Sequence, residues 1–485
     1  MTVLELSRWQ FGITTVYHFL FVPITIGLGF LVAGFETAWI RTGRDRWLRL
    51  TKFYGRLFLI NFAMGVVTGI VQEFQFVMNW SAYSRFVGDI FGAPLAIEAL
   101  LAFFLESTFL GLWIFGWDRL PRRVHAACMW LAAIGTLLSA YFILAANSWM
   151  QHPVGYHYNP ITHREELTSF LAVMINPEQL GTFPHTIAAC FLVAGGLVTG
   201  IAVWHLMRRP NPDTTAAFRT AAKVGAITSL IAAIGTMITG DVLGKLMTMY
   251  QPMKMAAAAE ALYHTAQPAP FSLFTIGTLN GSRPVFQITL PRLLSFLATG
   301  NFSGQVKGID NIQALYAQVY GPGSYTPIIP VTYWSFRLMI GLGLLTALIA
   351  LIVLWSLRKG RVPVTSGSRW SRVLLWAVVA MPFLPLAAMS VGWIFTEMGR
   401  QPWLVFGQMK TSAGVSANSA GEVLASVIIL TLLYGGLAIV EGGLIGLGSA
   451  AAIPVPRHGG GQHQARLAGC PRRGGRGRGP RGRPG

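Results

Sequence analysis

Nine long apolar stretches recur along this chain of 485 residues, and they constrain its fold more than any other feature. A bilayer core about 30 Å thick needs about 20 apolar residues to be crossed by a helix. Only 11% of the residues are charged, whereas a soluble domain carries roughly 25%. We therefore predict an all-α polytopic membrane helix bundle with about nine transmembrane helices. The predicted spans cover about 11–38, 55–79, 93–117, 124–148, 183–207, 222–246, 331–356, 372–396 and 423–448.

The positive charge is distributed as in a membrane protein rather than over a nucleic-acid-binding face. Alternate loops between the predicted spans carry five, three, four and five Lys or Arg residues, and the short loops between those carry one, one and two. Cytoplasmic loops usually hold the excess of Lys and Arg. The N-terminus is therefore predicted outside and the C-terminus in the cytoplasm, with a lipid bilayer and no nucleic acid as partner.

The order of predicted spans, the long loop and the composition of the tail divide the chain into four segments. Helices 1–6 lie within residues 1–246 and helices 7–9 within 331–450. The long loop between them, 247–330, is predicted to be a small element on the outer side. The Gly/Arg-rich segment 451–485 has no apolar periodicity, so we expect a disordered basic tail near anionic lipid.

Ionisable side chains inside spans are candidates for function because a charge at mid-bilayer is costly. His18 of span 1 is a candidate ligand for haem iron or a metal, and a structural hydrogen bond to a carbonyl is the alternative. Glu98 and Glu106 of span 3 would lie roughly 80° apart around a regular helix and about 12 Å apart along it. They suggest a proton relay or charge compensation for a cationic cofactor, and a pair of protonated structural acids is the alternative.

His185 at the start of span 5 and Met339 at the start of span 7 are both expected at the outer end of the bundle. An imidazole and a thioether form a known axial pair for six-coordinate haem, although most methionines serve packing. Arg337 could pair with a haem propionate. His125 and His205 lie near cytoplasmic ends, where interfacial snorkelling would explain them.

Glu397 and Arg400 occur in GWIFTEMGRQPW, where span 8 should meet the outer surface. Glu397 could ligate an open metal site or take a proton, and Arg400 could bind a propionate. A structural ion pair between positions i and i+3 is the alternative.

Lys254 and Glu260 lie at the start of the long loop, in a position that suits a lipophilic quinone head group. The alternative for these two residues is a surface amphipathic helix with solvated charges.

Six motifs in order make the chain resemble subunit I of the cytochrome bd-type quinol oxidases, from about Ser7 to about Trp403. The motifs are RWQFGITTVYHFLFVP, FGAPLAIEALLAFFLESTFLGLWIFGW, ANSWMQHPVG, QPMKM, TYWSFRLMIG and GWIFTEMGRQPW. Span 9 agrees in hydropathy only.

The resemblance implies three haem groups. A low-spin haem b would lie between His185 and Met339. His18 and Glu397 would be the axial ligands at the high-spin haem b and haem d pair. Which of the two residues ligates which haem is left open. A third haem b in place of haem d is also left open. Trp393 would sit between haems.

The resemblance also implies the reaction, which is oxidation of quinol outside coupled to reduction of dioxygen to water. Glu98 and Glu106 would lie by the active centre and on the proton route from the cytoplasm, so that charge is separated without a pump. Gln251, Lys254 and Glu260 would face the quinol, either menaquinol or ubiquinol. The expected partner in the bacterial cell membrane is subunit II, and small single-span subunits are left open.

The chain departs from the family pattern at two places. The loop acid follows the lysine by five residues in the family, whereas Ala259 stands there in this chain and the acid is Glu260. The Gly/Arg-rich end has no counterpart among the motifs, and the long loop is of the family's short type.

Two other functions compete with an oxidase. A proton-coupled membrane transporter would use the intramembrane acids as a relay, although the sequence lacks evident inverted repeats with broken helices. An electron-carrying cytochrome without an oxygen site is the narrower alternative.

Overall fold

The predicted helical membrane architecture is confirmed. A computed structural model describes residues 1–208, 211–259, 262–278, 283–360 and 368–450. In this part of the chain, eight helical segments are long and apolar enough to cross a bilayer, and a bent pair of helices supplies a ninth. These nine segments follow the order of the predicted spans, whereas the Gly/Arg-rich tail lies outside the described residues.

Helices dominate the described residues, and three two-stranded antiparallel hairpins accompany them. The helices are α1 (Val3–Phe19), α2 (Phe21–Thr42), α3 (Asp45–Met78), α4 (Ser81–Ile97), α5 (Phe104–Phe115), α6 (Arg122–Gln151), α7 (Phe170–Met174), α8 (Pro177–Arg208), α9 (Pro212–Tyr250), α10 (Pro252–Ala259), α11 (Leu293–Thr299), α12 (Ile309–Tyr320), α13 (Ile329–Ser356), α14 (Arg369–Ala380), α15 (Phe383–Gly399) and α16 (Ala420–Ala450). The hairpins are β1 (Tyr156–Asn159) with β2 (Arg164–Leu167), β3 (Phe271–Gly277) with β4 (Pro284–Leu290), and β5 (Trp403–Val405) with β6 (Met409–Lys410).

The eighth span is bent, whereas the sequence analysis predicts one continuous helix at about 372–396. Helices α14 and α15 meet at 44°, and the break falls at Met381 and Pro382. Proline breaks a helix because it has no N–H to donate and its ring clashes with the preceding turn. Two glycines of α8 receive this corner, since a Cβ at Gly200 would lie 2.7 Å from the Pro382 ring and one at Gly196 would lie 2.9 Å from the Met381 carbonyl oxygen.

Helices α8 and α9 pack backbone to backbone. A Cβ added at Gly195 would lie 2.7 Å from the Gly225 carbonyl oxygen, and one at Gly225 would lie 2.8 Å from the Gly195 carbonyl oxygen. Small residues drive such close approach between membrane helices, where no hydrophobic effect acts between helix faces. This contact fixes the register between the helix that carries His185 and its neighbour.

The segment between α9 and α13 folds into α10, the β3–β4 hairpin, α11 and α12. One buried cluster joins Met255, Phe271 and Leu294 of this segment to Phe395 of α15. A second cluster joins Ile312 and its neighbours to Trp403 at the end of the eighth span. The segment is therefore packed onto the end of the bundle that carries the GWIFTEMGRQPW motif.

The snorkelling interpretation of His125 and His205 is wrong, because both side chains are buried. His125 is 2% exposed, with Nδ1 2.5 Å from a carboxylate oxygen of Glu36 and Nε2 2.8 Å from the Trp113 carbonyl oxygen. The His205 ring stacks on Phe218 with centroids 4.2 Å apart. The Glu36 carboxylate and the Trp113 carbonyl pair the His125 nitrogens, and the His205 ring packs on an aromatic face, so both rings lie inside the protein.

Candidate functional site

Two of the histidines within the membrane-spanning helices, His18 and His185, have matching surroundings on different helices. His18 of α1 has its Nδ1 2.9 Å from the hydroxyl of Thr68 on α3. His185 of α8 has its Nδ1 3.1 Å from the hydroxyl of Thr239 on α9. In both rings Nδ1 takes the protein contact, so Nε2 is the nitrogen suited to bind a metal.

Two consecutive residues of α15 contact Met339 and the neighbour of His18. A Cβ at Gly392 would lie 2.8 Å from the Met339 sulfur, so glycine lets α13 and α15 approach at this level. The next residue, Trp393, stacks on Phe19 with ring centroids 5.3 Å apart and an interplanar angle of 21°. Phe19 directly follows His18 in the chain, so Trp393 lies beside both candidate ligand regions.

The end of α15 holds a buried guanidinium with unused donors. Arg400 is 2% exposed and forms an ion pair with Glu397, which also accepts a 2.8 Å hydrogen bond from the amide of Asn147. The i, i+3 ion pair therefore forms, but it engages only Nη2 of the guanidinium. Nε and Nη1 are buried and have no hydrogen-bond partner in the described part of the chain. Buried donors normally have a partner, so these two nitrogens fit an anionic group.

Glu98 and Glu106 both face α6. The hydroxyl of Ser139 donates a 2.5 Å hydrogen bond to Glu98, and Glu106 packs against the backbone at Gly135. The azimuth of roughly 80° expected for these acids on a regular helix does not hold, because residues Glu98–Phe103 form a π-helix between α4 and α5. The wider π turn rotates the side chains that follow it, and such turns are frequent at functional sites.

Lys254 and Gln251 lie in a buried polar contact with Gln151 at the end of α6. The Gln251 amide donates to the Gln151 carbonyl oxygen at 2.5 Å, and the Lys254 ammonium is 3.3 Å from the Gln151 side-chain oxygen. Lys254 is only 5% exposed, so the alternative of a solvated surface charge is wrong for this residue. Burial lowers the pKa of Lys254 to about 8, although the nearby Glu178 carboxylate favours its charged form. Glu260 lies outside the described residues.

Arg337 is bound to the segment that covers this end of the bundle. Its Nε donates to the Ser272 carbonyl oxygen at 2.8 Å and its Nη1 to the Ala258 carbonyl oxygen at 2.9 Å. The guanidinium also lies 4.4 Å from the ring centroids of Phe271 and Tyr333. These contacts tie α13 to α10 and β3, and pairing of Arg337 with a propionate remains a prediction.

The donor set as a whole fits haem groups. Imidazole, thioether and carboxylate side chains are all available as axial ligands from residues inside the helices. Buried N–H groups without partners in the described residues are present on Arg400, Trp393 and Gln151, and they suit propionate oxygens. His18, His185, Met339 and Glu397 would hold the iron atoms.

Comparisons with known proteins identify the family of this chain. The model of the family described as cytochrome bd terminal oxidase subunit I matches residues 6–447. The chain is 45% identical to the cytochrome bd ubiquinol oxidase subunit 1 of Bacillus subtilis, over 90% of this chain and 91% of that protein. It is 38% identical to the cytochrome bd-II ubiquinol oxidase subunit 1 of Escherichia coli, over 89% of this chain and 93% of that protein.

A solved structure has the same fold. The bd oxidase from Geobacillus thermodenitrificans matches with a TM-score of 0.81 and 27% identity, over 92% of this chain and 98% of that chain. The fold and the donor set define a multi-span membrane oxidoreductase subunit. The chain belongs to the cytochrome bd terminal oxidase subunit I family.

Sequence analysis missed several residues that lie at the site. Thr68 and Thr239 each precede a glycine in a span, and this repeated Thr-Gly pair was the available signal. Glu178 at the start of α8 is a buried acid near Lys254, and an acid directly before a span could have drawn attention to it. Gln151 lies within the quoted motif ANSWMQHPVG but had no assigned role.

Proposed function

We propose that this chain is the haem-binding subunit of an oxidase that oxidises membrane quinol and reduces dioxygen to water. Family membership supports both half-reactions. The observation that carries the haem assignment is the pair of intramembrane histidines whose Nδ1 atoms are held by threonines on neighbouring helices. A histidine held in this way presents Nε2 to a metal.

His185 and Met339 would hold a low-spin haem b, and His18 and Glu397 the high-spin haem b and haem d. When bound, these groups supply electron storage and an iron position open to dioxygen. Arg400 would offer its two unpaired nitrogens to a propionate, and its bond to Glu397 orients that carboxylate. Trp393 would fill the space between haems with a flat ring stacked on Phe19.

The quinol would be oxidised beside the segment between α9 and α13. Gln251 and Lys254 offer an amide and an ammonium to the quinol oxygens, and Glu260 is proposed as an acid at the same site. Glu178 adds a buried carboxylate near Lys254, one oxygen of which has no partner in the described residues, so it can take a proton released by the quinol. Relatives named for ubiquinol support a quinone of that class, and menaquinol remains a candidate substrate.

Protons for dioxygen reduction would come from the cytoplasm by way of Glu106 and Glu98. The Ser139 hydroxyl contacts Glu98 and extends this polar track onto α6. Uptake from inside and release outside would separate charge without a pump. This arrangement requires the N-terminus outside, the C-terminus in the cytoplasm of a bacterium, and subunit II as partner.

The test is to purify the chain with its associated subunits and to measure haem content together with quinol-dependent oxygen consumption. We expect three haems per complex and oxygen uptake that His18→Ala abolishes. A colourless complex would favour the proton-coupled transporter. A coloured complex in which His18→Ala changes neither the spectrum nor oxygen uptake would favour an electron-carrying cytochrome.

A further inference from the structure

We propose that Thr68 and Thr239 are positioning residues that fix both ligand histidines in the tautomer with hydrogen on Nδ1, so that Nε2 of each ring faces iron. The inference rests on the proposed function, since it takes His18 and His185 as haem ligands. It assigns a role to two residues that contact the proposed ligand histidines and are not themselves proposed as ligands.

The two constellations repeat the same three elements. Each histidine has Nδ1 within 3.1 Å of a threonine hydroxyl on another helix. Each threonine is followed by a glycine, and the imidazole packs against the Cα of that glycine. A Cβ at Gly69 would come within 3.2 Å of Cε1 of His18, and one at Gly240 within 3.3 Å of Cε1 of His185. The glycine therefore lets the ring approach closely enough for the threonine to reach Nδ1.

The direction of each hydrogen bond follows from the hydroxyl's single hydrogen. Thr68 donates that hydrogen to the Met64 carbonyl oxygen at 2.9 Å, one helical turn earlier. Thr239 donates its hydrogen to the Gly235 carbonyl oxygen at 2.7 Å. A hydroxyl whose hydrogen is used in this way accepts from the imidazole, which is the arrangement with the ring hydrogen on Nδ1. The lone pair of each neutral ring is then on Nε2, where a metal can bind it.

A third histidine in the same bundle shows the contrasting arrangement. Both nitrogens of His125 have protein partners, the Glu36 carboxylate at 2.5 Å and the Trp113 carbonyl oxygen at 2.8 Å. That ring has no nitrogen left for a metal. The candidate ligands instead have a neutral hydroxyl at Nδ1, which orients the ring without placing a second charge in a low-dielectric interior.

Replacement of the threonine by valine keeps its shape and removes the acceptor. Without an acceptor at Nδ1–H, the imidazole donates less electron density to the metal, so the ferric state is less stabilised. We expect Thr68→Val and Thr239→Val each to raise the midpoint potential of one haem and to weaken its retention roughly 10- to 100-fold.

The experiment uses the assembled oxidase, with redox titration of each haem band and haem analysis as readouts. Thr68→Ser and Thr239→Ser keep the hydroxyl and should restore the wild-type potentials. Thr346→Val is the matched control, since Thr346 is also buried in a span and donates to its own helix at 2.8 Å, but forms no hydrogen bond to a histidine in the described part of the chain. If Thr68→Val fails to assemble, the potential of the bound haem in Gly69→Ala carries the test, because the added methyl group would push the His18 ring from Thr68.

The outcomes separate this inference from the function on which it rests. A wild-type complex without haem overturns both. A haem-loaded wild type whose potentials and haem content are unchanged by both valine substitutions overturns only the positioning role. An equal shift in Thr346→Val would show that the loss of any buried hydroxyl has the same effect, which also rejects the inference.

Discussion

The hydroxyl of Ser139 on α6 donates a 2.5 Å hydrogen bond to the carboxylate of Glu98, which begins the π-helix of the third span. The third and fourth spans thus share a direct polar contact beside the proposed proton route. Because a π-helix has more residues per turn than an α-helix, the residues that follow Glu98 face other directions than they would in a regular helix. Proton transfer along this route is therefore open to a direct mutational test.

Glu98→Gln should reduce quinol-dependent oxygen uptake at least 10-fold, because proton transfer by a positioned side chain contributes about 10²–10⁴-fold. The haem spectrum should not change, since the amide keeps the shape of the side chain. Stopped-flow oxygen reduction with a pH indicator would measure the proton uptake directly. Ser107→Ala is the control, because Ser107 lies near Glu106 but is exposed and bonds only its own helix. Normal proton uptake in Glu98→Gln would remove this acid from the route.

Met339→Leu should alter the signal of a single haem and leave the others unchanged. Leucine conserves most of the side-chain volume against Gly392 but cannot bind iron, so the low-spin centre would lose one axial ligand. Reduced-minus-oxidised difference spectra and electron paramagnetic resonance would report the loss of the low-spin signal. Met129→Leu, a buried methionine in the core cluster of the bundle, is the matched control. Loss of every haem signal, or of none, would contradict the His185–Met339 pairing.

Lys254 should give the apparent quinol KM a pH dependence near pH 8. Burial lowers the pKa of its ammonium to about 8, so the side chain is charged below this pH and increasingly neutral above it. The KM should therefore rise as the pH passes from 7 to 9. Lys254→Arg keeps the charge throughout this range and should flatten the rise in KM. Lys52→Arg is the control, because Lys52 lies on α3 and not at the proposed quinol site, and its KM should rise as in the wild type. Identical pH profiles in the wild type and in Lys254→Arg would argue against a role in quinol binding.

The same pKa shift makes a prediction for stability. The folded-state pKa lies below the ordinary value of 10.5, so the unfolded chain binds more protons between pH 8 and 10.5. The cost of burying the ammonium is present in full below pH 8 and fades as the pH rises through that window. The thermal unfolding midpoint of the detergent-solubilised wild-type complex should therefore gain a contribution from Lys254 between pH 7.5 and pH 9.5. Lys254→Met should lack this gain, and equal changes in the two proteins would contradict the prediction.

The buried cluster of Glu36, His125 and Trp113 should stabilise the bundle rather than take part in turnover. Glu36→Leu would leave His125 Nδ1 and Trp113 Nε1 without their acceptor, and each buried donor left unpaired costs about 1–3 kcal/mol. The midpoint of thermal inactivation should fall, whereas the haem spectrum of the folded fraction should not change. The double substitution Glu36→Leu with His125→Leu should recover part of the loss. Wild-type stability in Glu36→Leu would contradict this interpretation.

Hydropathy predicted the number and order of the spans because bilayer thickness sets a length that any crossing helix must meet. The contacts that define the site were beyond such a pattern. Thr68 lies 50 positions from His18, and the two meet only because α1 and α3 pack together. The π-helix at Glu98 and the burial of Lys254 likewise depend on neighbouring elements. The resemblance supplied the identity of candidate ligands, which periodicity and spacing alone left open.

The bend at Pro382 packs against Gly196 and Gly200 of α8, so a change in this contact would tilt α15. Glu397 lies 15 residues beyond Pro382, about 22 Å along the helix at 1.5 Å per residue. A tilt of about 5° at the corner would displace the carboxylate by about 2 Å, enough to lose contact with a bound metal. A methyl group added at Gly200 would push on the proline ring, and we expect it to displace the proposed ligand Glu397 without contacting it. The position of this proposed ligand thus depends on how α8 and α15 pack against each other at the corner.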